Sequence, residues 1–264
     1  EELGVLKITK GGDVTLTFRG IQNSIKRNRQ GRLRADEALP DVHYLTLVPT
    51  SLPETSQPVD ILSQFKGHSI FDGKTFNGWE GNDGENSMAL FRIEKKSIVG
   101  GTMTKELAHN QFLRTDRFYD NFEIRLKYKV KATDKTYNGG IQFRSVHQPA
   151  PGLEYEMIGY QADILDGQVG PLYDEQRRWS FLGMTLDTPE KYNPEDWNEY
   201  VIRCEGPRIR IWINGVKTRD YIEPFVDDPY EKMGMIAQEG YIALQIHEGP
   251  ACEMWYKDIM IEER

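Results

Sequence analysis

An all-β fold, a sandwich or barrel of antiparallel strands, follows from three features of this 264-residue sequence. Polar and apolar residues alternate with period two from about Phe91 onward, whereas no comparable window carries a 3.6-residue apolar stripe. Eight or more such runs are short and closely spaced, as in β-sandwiches and barrels. Turn residues separate them, and short turns join antiparallel neighbours.

The runs are read in chain order. Phe91–Glu94 and Ser97–Gly100 open the series. Phe122–Val130 is the clearest: Phe122, Ile124, Leu126, Tyr128 and Val130 share one face, and Glu123, Arg125, Lys127 and Lys129 share a face read as solvated. Gly140–Val146, Tyr155–Leu165, Glu199–Glu205, Arg208–Asn214, Tyr241–His247 and Met254–Glu262 follow. Asn214-Gly215 is a type I′ hairpin signal, and Asp72-Gly73 and Asp166-Gly167 mark turns. Two longer connections, Asp187–Trp197 and Glu223–Gln238, each hold two prolines and can carry a short helix or line a binding rim.

Residues 1–66 differ. They hold 9 Lys+Arg and 8 Asp+Glu, whereas the remainder carries 24 − 33 = −9. Strand-like pieces at Val14–Phe18 and Tyr44–Val48 and a basic cluster at Lys26, Arg27, Arg29, Arg32 and Arg34 mark an appended segment of unassigned role, with 67–264 as the main domain.

Composition narrows the partners. The net charge is 33 − 41 = −8, which disfavours a polyanion such as nucleic acid. The longest strongly apolar stretches are about six residues, so no membrane span is expected. The N-terminus shows no signal-peptide pattern. Cys204 and Cys252 allow one bridge or two separate buried thiols.

Candidate chemistry sits where the wet face of a strand lacks the usual long charged side chains. Ile141 and Phe143 alternate with Gln142 and Arg144; Tyr160, Ala162 and Ile164 alternate with Gln161 and Asp163; Ile242, Leu244 and Ile246 alternate with Gln245 and His247. Shared on one sheet, these amides, guanidinium, carboxylate and imidazole form a polyol-binding surface. The bland alternative is a set of cross-strand hydrogen bonds and an Arg144–Asp163 surface pair.

Leu172-Tyr-Asp-Glu-Gln-Arg-Arg178 is expected to loop over a sheet edge. Its Asp174, Glu175, Arg177 and Arg178 can anchor that loop, or a carboxylate there can face Asp163 across a cleft, as in glycosidases. Tyr173 and Arg177 join Gln142, Gln161, Gln245 and Trp212 as expected substrate contacts, Trp212 being the tryptophan most clearly on a wet face. Asp163, Glu175 and His247 can ligate a divalent metal, although no ligand-spacing motif supports it and no cofactor is required. There is no glycine-rich phosphate loop, Gly-x-Ser-x-Gly elbow or His-Glu-x-x-His pair.

The ordered runs Ser69-Ile-Phe-Asp-Gly-Lys-Thr-Phe-Asn-Gly-Trp79, Phe91-Arg-Ile-Glu, Ile98-Val-Gly-Gly101, Gly139-Gly-Ile-Gln-Phe-Arg-Ser145, Gly159-Tyr-Gln-Ala-Asp-Ile164 and Leu172–Arg178 resemble the 3-keto-disaccharide hydrolase family. Asp196-Trp-Asn-Glu-Tyr200, Ile211-Trp-Ile-Asn-Gly215, Gly240-Tyr-Ile-Ala-Leu-Gln-Ile-His247 and Tyr256-Lys-Asp-Ile259 extend the resemblance over about residues 67–264. It implies a two-sheet, concanavalin A-like jelly roll and cleavage of glycosides oxidised at carbon 3.

In such a sugar the ketone acidifies the hydrogen on carbon 2. A base, His247 or Asp163, removes it, Arg144 faces the developing oxyanion, Glu175 protonates the leaving group, and water adds back. A non-catalytic carbohydrate-binding module is the competing use of the fold, and a cell-envelope protein docking through residues 1–66 is a third. Members of such families look exported, which implies a periplasmic or extracellular location.

Overall fold

A computed structural model of the chain describes residues 64–133, 136–223 and 239–264. They belong to one compact unit, Asp60–Arg264. The basic cluster and the two N-terminal strand-like pieces lie outside the described residues, as does most of the connection after Glu223.

Fifteen strands and one short helix are described. In order they are β1 (His68–Ser69), β2 (Trp79–Gly81), α1 (Gly84–Met88), β3 (Phe91–Glu94), β4 (Ser97–Gly101), β5 (Gln111–Thr115), β6 (Phe122–Ala132) and β7 (Asn138–Val146). Then come β8 (Ile158–Leu165), β9 (Leu172–Glu175), β10 (Phe181–Leu182), β11 (Asn198–Glu205), β12 (Arg208–Ile213), β13 (Val216–Ile222), β14 (Tyr241–Ile246) and β15 (Cys252–Glu263). One sheet runs β13-β12-β11-β6-β15-β4-β3 with β1 beside β15; the other runs β10-β9-β8-β7-β14-β5-β2. Every pairing is antiparallel, and the two-sheet sandwich expected from the sequence is the architecture found.

Period-two alternation places one side of each strand in the core between the sheets. Phe122, Ile124, Leu126 and Tyr128 of β6 join Ile141 and Phe143 of β7, Tyr160 of β8, Tyr200 of β11 and Tyr256 of β15 there. Each such side chain contributes about 1.5–3 kcal/mol on full burial. The Asn214-Gly215 turn joins β12 to β13, both residues at positive φ, as a type I′ hairpin requires.

Several readings change. Leu172–Glu175 is a paired strand rather than a loop, and the strand expected from Tyr155 starts at Ile158. β5 escapes the alternation pattern because Phe112 and Leu113 are both buried, on opposite faces. The connection 187–197 carries no helix. The polar face of β6 is not simply solvated: Glu123 is fully buried between Arg203, Arg125 and Arg264. Cys204 and Cys252 are separate buried thiols, and burial pushes Cys204 up to about 12. Among the described residues, no helix is long and apolar enough to cross a membrane.

Candidate functional site on the seven-stranded sheet

Because β7, β8 and β14 turn their apolar residues inward, their amides line the outer face of the seven-stranded sheet. Strand register arranges that face in rows. Gln142 of β7 lies opposite Gln161 of β8, which lies opposite Tyr173 of β9, which lies opposite Phe181 of β10. In the other direction the row passes through Ala243 of β14 to Arg114 of β5 and Glu80 of β2. The next row runs Phe112, Gln245, Gly140, Asp163. On the far side of the amide row, Glu175 lies opposite Gly159. Asp163 and Glu175 thus flank the amides from opposite sides, their backbones offset by four residues of β8, about 13 Å along the strand.

The surroundings cover this face. Gln142 donates from Nε2 to the Met157 carbonyl (3.2 Å), so the segment before β8 folds across the sheet. His109 stacks on Tyr155 at 4.2 Å, and Asn110 Nδ2 donates to both Glu156 carboxylate oxygens. Met157, Phe112 and Ala243 form a small apolar cluster with Tyr241, separate from the main core.

Gln142, Gln161 and Gln245 are 0, 1 and 0% exposed. Yet both amide atoms of Gln245 and the carbonyl oxygens of Gln142 and Gln161 have no hydrogen-bond partner. The same is true of Asn138 Oδ1, two residues before Gly140 on β7, and of both amide atoms of Asn82 beyond β2. A buried polar atom without a partner costs about 1–3 kcal/mol, so their concentration on one face leaves hydrogen-bonding capacity there that no protein group takes up.

The carboxyls are equally unusual. Burial pushes Asp163 up to about 7, against the opposing hydrogen bond from Gln161 Nε2 (2.5 Å). Burial first, then the charges of Asp163 and Glu156, push Glu175 up to about 8. Burial, then the charges of Glu175, Asp163 and Asp174, raise the Tyr173 hydroxyl, in keeping with its row between Asp163 and Glu175. Gly140 makes the Gln161–Asp163 contact feasible: a Cβ there would lie 2.9 Å from Gln161 Cγ.

Not every expected residue is here. Arg144 is the extra residue of a bulge in β7, at φ +47, and its guanidinium turns to the Asp120 and Gly206 carbonyls and Asn121 Oδ1, tying a loop and a hairpin together. Arg177 pairs with the buried Asp174 and lies over the Tyr160 ring, on the core side of β9. Arg178, Asp174 and Glu223 complete that anchoring network. Trp212 lies on the outer side of the other sheet, beside Arg203 and Arg210, and is buried there rather than wet. His247 lies just past β14, partly exposed, its Nδ1 2.6 Å from the Glu248 carbonyl.

Among the described residues, no three His, Cys, Asp or Glu side chains gather as a metal ligand set, Asp163, Glu175 and His247 included. Arg114 supplies a guanidinium that the sequence reading missed, 4.1 Å over the Tyr241 ring and paired with Glu80. Glu156, Asn110 and Asn82 were also missed, for they lie on or beside strands without alternation.

The family model described as the 3-keto-alpha-glucoside-1,2-lyase-like domain matches residues 66–262. The chain belongs to this family. Among solved structures, it is similar to a candidate glycosyl hydrolase from Parabacteroides distasonis, with 19% identity and a TM-score of 0.54 over 75% of this chain and 94% of that one. It is also similar to carbohydrate-binding module CBM66 from Bacillus subtilis, with 13% identity and a TM-score of 0.50 over 70% and 96%. At these identities the likeness is one of fold. No curated protein matches the chain. A carbohydrate-related role is the common ground of the family and these folds.

Proposed function

We propose that the outer face of the seven-stranded sheet binds a saccharide and cleaves its glycosidic bond, acting on a 3-keto-glycoside. The observation that carries this reading is the row of fully buried, incompletely hydrogen-bonded amides flanked by two carboxyls with pKa values raised to about 7 and 8. Amides offer paired donors and acceptors of the kind that sugar hydroxyls need. Carboxyls poised near neutrality suit proton transfer.

In this reading Asp163, the lower of the two, is the base that removes the proton from carbon 2. The bond electrons pass toward the carbon 3 ketone as an enolate and return to expel the oxygen from carbon 1. Glu175, still protonated near pH 7, gives its proton to the departing oxygen. Water then adds to carbon 1, giving a proton to the Glu175 carboxylate, while Asp163 returns its proton to carbon 2, which completes hydrolysis and resets both carboxyls. His247, two residues past Gln245 of β14, is the alternative proton acceptor. Arg144 has no part, since its guanidinium is committed elsewhere.

Mass-resolved turnover of a plain glucoside and its 3-keto derivative, with and without EDTA, tests the proposal. Cleavage of the keto sugar alone is expected. Cleavage of the plain glucoside would replace elimination with a two-carboxylate glycosidase route. Binding without any product would instead favour a carbohydrate-binding module.

A further inference from the structure

We infer that Arg219 of β13 forms a buried oxyanion site, which takes the carboxylate, sulfate or phosphate group of a small anion at the edge of the eight-stranded sheet. This inference does not rest on the saccharide reading above.

Four arginines are buried among the described residues: Arg144, Arg203, Arg210 and Arg219. Three of them have a carboxylate beside them, Asp120 for Arg144, Glu123 for Arg203 and Glu205 for Arg210. Arg219, 3% exposed, has none among the described residues. Its Nη1 donates to the neighbouring Thr218 carbonyl (2.8 Å), and its Nε has no partner.

Strand register explains how a charge comes to lie there. Lys217 faces outward and pairs with Asp220, and two residues on Arg219 would face outward as well. The pairing shifts between them, however, so that Lys217 lies opposite Trp212 and Arg219 opposite Ile211, with Thr218 as the extra residue of a bulge. Ile211 is in the core, so the Arg219 side chain is turned between the sheets, away from the outward carboxylates. β13 ends the order of its sheet, which keeps the guanidinium at the rim of the core rather than its centre.

The open edge decides what fits. With Nη1 committed, that edge is Nε and Nη2, the pair of atoms that nearby Arg208 presents to the two oxygens of Asp220 at 2.8 Å each. Such a planar fork is matched by two oxygens of a carboxylate, sulfate or phosphate, whereas chloride offers a single centre. Burial pulls the Arg219 guanidinium below its ordinary value. The Tyr200 hydroxyl opposes that shift but supplies no counter-charge, since burial keeps it protonated and it donates to the Asp163 carbonyl (3.3 Å). A buried charge without a counter-ion is strongly unfavourable, and a bound oxyanion removes that penalty.

The test titrates the wild type, Arg219→Lys and Arg219→Met with sodium acetate, sulfate and phosphate against sodium chloride at constant ionic strength, read by melting temperature and calorimetry. The wild-type melting temperature is expected to rise and saturate with at least one oxyanion and not with chloride. Arg219→Lys keeps the charge but loses the fork, and is expected to bind about tenfold more weakly; Arg219→Met is expected to show no saturable response. No oxyanion response in the wild type, a response that never saturates, or one undiminished in Arg219→Met would overturn the site. If Arg219→Met does not fold, the Nε–H resonance of Arg219, assigned by its loss in Arg219→Lys, decides in the wild type: movement on oxyanion titration supports the site, and a fixed resonance overturns it.

Discussion

The two outer faces of this sandwich are both polar, but they dispose of their polarity differently. On the eight-stranded sheet the charges meet one another: Glu123 is closed in by Arg203, Arg125 and Arg264, Arg208 pairs with Asp220, and Arg92 and Lys131 converge on Glu253. Its aromatic rings are equally engaged, with the Lys129 ammonium 4.8 Å from the Trp197 ring and 5.0 Å from that of Trp255. On the seven-stranded sheet the side chains are mostly uncharged and more deeply buried, and their hydrogen-bonding atoms are left open. Polarity alone therefore does not separate the two faces; the gathering of open amide atoms on one of them does, with Arg210 Nε the counterpart on the other.

That contrast can be broken most forcefully at Asp163. Asp163→Asn keeps the shape and removes the base, and a loss of about 10²–10⁴ in kcat on a 3-keto-glycoside is expected, measured by product formation. Across the molecule, Glu123→Ala leaves Arg203 buried without its carboxylate, which costs about 3–5 kcal/mol, read by urea denaturation. Turnover per folded molecule is expected to stay near the wild-type value. If Glu123→Ala abolished catalysis in folded protein, the division of labour between the faces would be wrong.

The raised carboxyls also sharpen the comparison through pH. Folded Asp163 and Glu175 hold protons that the unfolded chain releases near its ordinary carboxyl values, so the stability they confer is present below about pH 4 and declines as pH rises to about 7 and 8. Melting temperatures measured from pH 5 to pH 8 are expected to fall in the wild type and to fall less in Asp163→Asn. A smaller effect on turnover is expected at Gly140→Ala, whose Cβ meets both the Ala162 carbonyl and Gln161 Cγ at 2.9 Å and so strains the β7–β8 pairing as it displaces Gln161 from Asp163. With that hydrogen bond lost, the acid limb of the activity profile moves to higher pH. An unmoved limb would show that the contact does not tune Asp163.

Alternation made the central amides legible, since Gln142, Gln161, Asp163 and Gln245 each fall opposite inward apolar residues. It failed in three ways with identifiable causes. Arg144 has the correct parity, but a bulge at that position rotates it off the face, and period two carries no signal for a bulge. Trp212 has the correct phase on the wrong sheet, because alternation separates inside from outside without saying which outside. Arg177 lies beyond Gln176, at φ +59, where strand parity no longer applies. Arg114 and Asn82 went unread because β5 is buried on both faces and β2 has three residues.

The central claim is that Asp163 and Glu175 act as base and acid across a row of amides. Its most direct test is the pH dependence of kcat/KM on a 3-keto-glucoside for the wild type, Asp163→Asn and Glu175→Gln. The account predicts a narrow bell with limbs near 7 and 8, and severe loss of activity in both variants, with the alkaline limb gone in the residual activity of Glu175→Gln. A flat profile across that range, or either variant turning over at the wild-type rate, would contradict it.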